Sequence, residues 1–158
     1  MTEDFERCTA YHEGPHAVIS FHFNKLVEHI CLSGDGDGIC SPHDDESISF
    51  DEILIAQAGI ESDKAYYFAK PNGLKARKKG WEGDEKKVDW YLEVLKSRGE
   101  LHDKDKVEKV AASLVRQKWF LIHALAMQVL SETKASGIFM YPGLYAKNLI
   151  DNLMARDS

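Results

Sequence analysis

Apolar positions recur at helical spacing through most of the chain. From about Glu3 to His29, the residues Phe5, Cys8, His12, His16, Ile19, Phe23, Leu26 and Ile30 are separated by steps of three and four. That spacing predicts one helix with one buried face, and it puts both histidines on the inward stripe. The period then changes. Short apolar pieces around Ile30 and Ile39 flank "SGDGDG", which predicts a small two-stranded β-ribbon closed by a turn. "DGDG" also hints at a calcium loop, but Ile39 stands where a further oxygen ligand is needed, so the turn is preferred.

A second helix opens at Ser49, whose spacing to Glu52 forms a capping box, and runs through "ILIAQAGIESDKAYYF". Ala58 and Gly59 make a small-residue spot in it where another helix can approach closely. "AKPNGLKARKKGWEG" reads as loop and carries a local basic run, Lys70, Lys75, Arg77, Lys78 and Lys79. A third helix from about Asp84 to Arg98 has Val88, Tyr91, Leu92 and Leu95 as its apolar face, with Asp84 on that same face. A long fourth helix, about Lys104 to Thr133, ends at Gly137, and "YPGLYAKNLIDNLM" forms a last short one. The fold class expected is mainly α: about five helices with a two-stranded β-ribbon, in a single domain over residues 1–158.

Composition adds limits. The 158 residues suit one domain with a proper core, and 44% apolar with 29% charged residues is ordinary for a soluble globular protein. A net charge of -6 argues against general nucleic-acid affinity. No apolar run is long enough to cross a bilayer, and "MTEDFERC" lacks the apolar core of a signal peptide. Cys8, Cys31 and Cys40 read as free thiols of a reducing cytoplasm, although Cys31 and Cys40 would be able to meet across the ribbon. Trp81, Trp90 and Trp119 read as packing anchors, and Tyr66, Tyr67 and Phe68 as core. His22, His29, His43, His102 and His123 are scattered and read as surface or satisfied residues.

The chemistry concentrates in "YHEGPHAVISF", where His12-Glu13-x-x-His16 is the spacing of a zinc-hydrolase helix. Imidazoles at i and i+4 lie one above the other and converge on one ion. Glu13, on the flank of that pair, is placed to take a proton from a metal-bound water and pass it to a leaving amine. A third ligand is needed, and Asp51, Glu52, Glu61, Asp63 and Asp84 are candidates. The cap accounts better for Asp51 and Glu52, whereas Glu61 and Asp63 read equally as surface charges of the second helix. Asp84, a carboxylate aimed at a core, needs a partner or a cation, unless it merely caps its helix in solvent.

Taken together these pieces resemble the FtsH-type zinc metallopeptidases. "AYHEGPHAVISF" resembles that family's "AYHEAGHAVVA" segment. "LIAQAGIESDKAYY" resembles its "LAGxxAE" helix, with Asp63 at the Glu position, and "GWEGDEKKVDWYL" its Gly-x-x-x-Asp segment. "AASLVRQKWFLIHALAMQVL" is similar to the long helix near that domain's end. The resemblance is patchy, spans roughly residues 8 to 130 and keeps the family's order. It implies His12, His16 and Asp84 as zinc ligands, Glu13 as base, and a ribbon edge that holds an extended peptide or unfolded protein substrate.

Two departures qualify it. The chain lacks the phosphate-binding loop and the transmembrane segment of FtsH proteases, so it resembles short stand-alone relatives limited to flexible peptides or dependent on a separate ATPase or other protein partner. Gly14-Pro15 interrupts the motif: proline has no N–H for the carbonyl of Tyr11 and costs about 3 kcal/mol inside a helix. The helix either kinks and keeps both histidines on one face, or bulges and pulls His12 off the metal. The reading that follows is a zinc-dependent metalloendopeptidase; the alternative is a catalytically inactive relative that binds peptides or a protein partner.

Overall fold

The computed structural model describes residues 3–32, 39–40, 48–68 and 81–156. Among the described residues, six helices and three short strands follow in the order α1 (Glu3–His22), β1 (His29–Cys31), β2 (Ile39–Cys40), α2 (Phe50–Tyr66), α3 (Glu82–Ser97), α4 (Lys104–Gln117), α5 (Trp119–Ser136), β3 (Met140–Pro142) and α6 (Gly143–Arg156). The mainly helical class with a small β element is as the sequence implies. No helix among the described residues is long and apolar enough to cross a membrane.

α1 is the central element. Between Thr9 and Ser20 every residue except Glu13 is buried, so it is covered all round rather than along one stripe. α2 and α5 lie against it, α4 packs on α2, and α3 packs on the same helix. One hydrophobic cluster joins α1, α5 and α6 through Ile19, Ile122, Leu125 and Ile150. A second joins α2, α3 and α4 through Ile53, Val88, Leu95 and Val107. Phe23 and Leu114 pack against both.

α1 stops at His22, short of the expected His29, because Asn24 adopts a left-handed conformation (φ 56°). The N–H of Lys25 then returns to the Ser20 carbonyl at 2.8 Å, a closing bond that ends helices. α2 begins where its capping box predicts: the Glu52 carboxylate accepts the Ser49 N–H at 3.0 Å and the Ser49 hydroxyl at 2.6 Å. The expected long fourth helix is two, α4 and α5, parted at Lys118 (φ -100°, ψ 7°). No glycine or proline marks that break. Its cause is tertiary, since the halves pack on different helices, α4 on α2 and α5 on α1.

The ribbon forms with β1 antiparallel to β2, and β3 adds a third strand on β1's other side, pairing Ile30 with Tyr141. Gly143 lets α6 start against this sheet: a Cβ there would sit 1.8 Å from the Val27 carbonyl oxygen. The register sets Cys40 opposite His29 and not opposite Cys31. Two apolar assignments change, since Phe68 and Trp90 are exposed whereas Tyr67 is buried. The "SGDGDG" turn and the basic run in 69–80 lie outside the described residues.

Candidate metal centre

α1 passes through Gly14-Pro15 without breaking. Pro15 cannot donate to the carbonyl of Tyr11, its α-helical acceptor. That carbonyl instead receives the hydroxyl of Ser62, from α2, at 2.6 Å, with the Ser62 side chain wholly buried. A helix neighbour thus supplies the bond that the proline removes, and the turn between the two histidines keeps its shape. Gly14 faces the Ile122 carbonyl of α5, where even an added Cβ would make only ordinary contact at 3.8 Å.

His12 and His16 are accordingly on one face of α1, 4% and 7% exposed, with ring centroids 5.3 Å apart and planes at 80°. They fit there because α2 presents Gly59. A Cβ at that position would lie 2.4 Å from His16 Nε2 and 2.9 Å from His12 Cε1, closer than real contacts allow. The small-residue spot serves the imidazoles as much as the backbones.

The tautomers follow from the partners. His16 Nδ1 is 2.7 Å from the Ile55 carbonyl oxygen, which can only accept, so Nδ1 carries the hydrogen. His12 Nδ1 is 2.9 Å from Asp63 Oδ2, and a carboxylate imposes the same assignment. Both Nε2 lone pairs are left facing inward. They face Asp84 Oδ2, from the first turn of α3, at 2.9 Å from His12 and 3.4 Å from His16. That oxygen is shielded from solvent and accepts no well-formed hydrogen bond. Three acceptor atoms, all within 4.8 Å of one another, therefore converge on one point.

Such a point requires positive charge. Without a metal the charge comes from protons. Burial opposes a charged His12, but Asp63, Asp84 and Glu13 outweigh it and push its pKa up to about 10. His16 is raised in the same way: burial and the neighbouring His12 oppose, while Asp84 and Glu13 prevail. Burial works against a charged Asp84 as well, yet His16 and His12 hold it well below the usual carboxylate range. A divalent cation meets the same demand, and two imidazole nitrogens with one carboxylate oxygen are a fitting donor set for zinc with positions left open.

The other carboxylates sort clearly. Asp63 is fully buried and not a surface charge, and its Oδ2 also accepts the indole N–H of Trp81 at 2.8 Å. It stands behind His12, as partners of metal-ligating histidines do. Asp84 is not a solvated cap, with a side chain only 12% exposed. Glu61 is buried and bonded by Gln57 and Lys64, and Glu52 by Ser49 and Lys25, so neither joins the cluster. Glu13 keeps some solvent access, and its charge is felt at both histidines.

Sequence reasoning named the three converging residues but missed Ser62, the role of Asp63 and the bond from Trp81. A signal existed. Gly59, Ser62 and Asp63 follow at steps of three and one, a single face of α2 that is small or polar where a core helix would be apolar. Compared with known proteins, the chain matches no family model and no curated protein.

Proposed function

We propose that the chain is a zinc-dependent metalloendopeptidase acting on peptides or unfolded protein segments, with His12, His16 and Asp84 as metal ligands and Glu13 as general base. One observation carries this reading: two imidazoles with fixed tautomers and a buried carboxylate aim their acceptor atoms at one point. The same donor set also suits non-haem iron. Glu13 next to His12 favours hydrolysis, because it adds a base at the edge of the site where a hydrolytic proton must move.

Bound in such a site, zinc supplies a Lewis acid and brings the pKa of water to roughly 7. The chain's own groups do the rest. Asp63 and the Ile55 carbonyl hold the Nδ1 hydrogens, so each Nε2 stays available as a ligand. Gly59 leaves the volume the rings occupy. Glu13, turned about 100° from His12 around α1, accepts a proton at its carboxylate and returns it to the departing amine. The substrate this reading implies is a flexible peptide, or a segment unfolded by a separate ATPase partner.

Elemental analysis of protein purified without chelators is expected to give one zinc per chain. Glu13→Gln is expected to keep that zinc and to lose at least about 100-fold in chelator-sensitive cleavage of an unstructured fluorescent peptide. Full activity in the variant removes Glu13 from the base role. Zinc-loaded wild type that cleaves nothing supports the inactive, peptide-binding alternative.

A further inference from the structure

Trp81 occupies the N-cap position of α3 in an αR conformation (φ -82°, ψ -10°) and makes no side-chain cap. Helix-local chemistry prefers Ser, Thr, Asp or Asn there. The reason for an indole at this place is tertiary. Trp81 is 5% exposed, its Nε1–H donates to Asp63 Oδ2 at 2.8 Å, and Lys64 Nζ stands 6.0 Å from its ring centroid. The oxygen it holds is the one that receives His12 Nδ1–H. Its own carbonyl accepts the Glu85 N–H at 2.9 Å, the first turn of the helix in which Asp84 lies three residues on.

We infer that Trp81 is a positioning residue for the metal centre, its indole N–H fixing the Asp63 carboxylate behind His12 while its backbone starts the helix that brings Asp84 to both histidines. The inference rests on the metal-centre reading. It connects ligands that come from two separate helices. α1 supplies the imidazoles and α3 the carboxylate, and α2 lies between them carrying Asp63. Without the indole N–H, Asp63 Oδ2 loses one of its donors and keeps the His12 Nδ1–H, so the carboxylate that sets the His12 ring plane is held less firmly. The start of α3, and Asp84 with it, loses its hydrogen bond to Asp63 of α2. Supporting bonds of this kind typically contribute 10–100-fold to metal affinity.

Trp81→Phe removes the N–H and keeps most of the ring. Cobalt(II) titration of the full chain, followed by visible absorption, reads both affinity and ligand geometry. The variant is expected to bind about 10–100-fold more weakly, with a shifted visible spectrum. Trp90→Phe, the same change at an exposed ring, is expected to alter neither. Far-UV circular dichroism of the metal-free variants establishes that they are folded. Should Trp81→Phe not fold, the wild-type indole N–H resonance serves instead, assigned by elimination with Trp90→Phe and Trp119→Phe. It is expected to shift on zinc addition, to saturate at one equivalent and to exchange slowly with solvent. Wild-type affinity and spectrum in folded Trp81→Phe overturn the inference and leave the metal centre intact. So does an indole resonance unmoved by zinc. Wild type that takes up neither cobalt nor zinc overturns both.

Discussion

If Ser62 replaces the hydrogen bond that Pro15 removes, the two residues must be energetically coupled. In the wild type, Ser62→Ala strips the Tyr11 carbonyl of the donor at 2.6 Å in a fully buried setting. A buried acceptor left without a partner costs about 1–3 kcal/mol. Pro15→Ala restores an N–H four residues after Tyr11, so in that background the carbonyl keeps a donor. Ser62→Ala then loses only the net value of one bond, about 0.5–1 kcal/mol. From the middle of each range, the double-mutant cycle should therefore show a coupling of about 1 kcal/mol, against the 0.3–0.5 kcal/mol scatter of independent sites. Urea unfolding of the four metal-free proteins measures it, provided the m-values agree. Additivity within that scatter would refute the compensation and leave the continuity of α1 through Pro15 without a cause.

Gly59→Ala places a Cβ 2.4 Å from His16 Nε2, so the ring must retreat by about 1 Å to reach ordinary contact. Helix propensity returns about 1 kcal/mol, so stability changes little. Zinc affinity by chelator competition should nevertheless fall by more than about 100-fold, because ligands tolerate displacements of only about 0.2 Å. Gly83→Ala, with open space around the added methyl, should leave zinc binding untouched. Glu52 supplies a pH dependence remote from the site. Burial opposes its charge, but the Lys25 ammonium at 2.7 Å and the Ser49 groups hold its pKa below the ordinary value. A depressed carboxylate stabilises the fold above its unfolded pKa of about 4.3. That contribution, about 1–2 kcal/mol for a charged, half-sheltered pair, is lost as pH falls through the lower folded value. Glu52→Gln should flatten the acid side of the stability profile, and an unchanged profile would show that the Lys25 pair contributes nothing.

The legible parts of this chain were those written in local code. The Ser49–Glu52 cap starts α2 where the residues say, and Gly137, in the left-handed conformation (φ 68°), ends α5. The parts missed were set by what lies across an interface. α1 looked amphipathic, yet from Thr9 to Ser20 it is buried all round except at Glu13, because α2 and α5 cover its sides. The Lys118 break has no local marker, since two packing partners and not a breaker residue divide the apolar stripe.

The same division runs through the candidate site. The i, i+4 histidines and the inward Asp84 could be picked from spacing and from the cost of burying a charge. What makes them a site could not, because each supporting contact belongs to another helix. The Ile55 carbonyl and Asp63 set the tautomers, Gly59 makes the room and Ser62 mends the helix. All four come from one nine-residue face of α2. A helix motif with a proline in it is therefore not judged by its own residues. The compensation for Pro15 sits one turn from the residue that makes room for the imidazoles and next to the residue that orients His12. Substitutions at Gly59, Ser62 and Asp63 should therefore disturb the candidate metal centre, although none of these side chains is a proposed ligand.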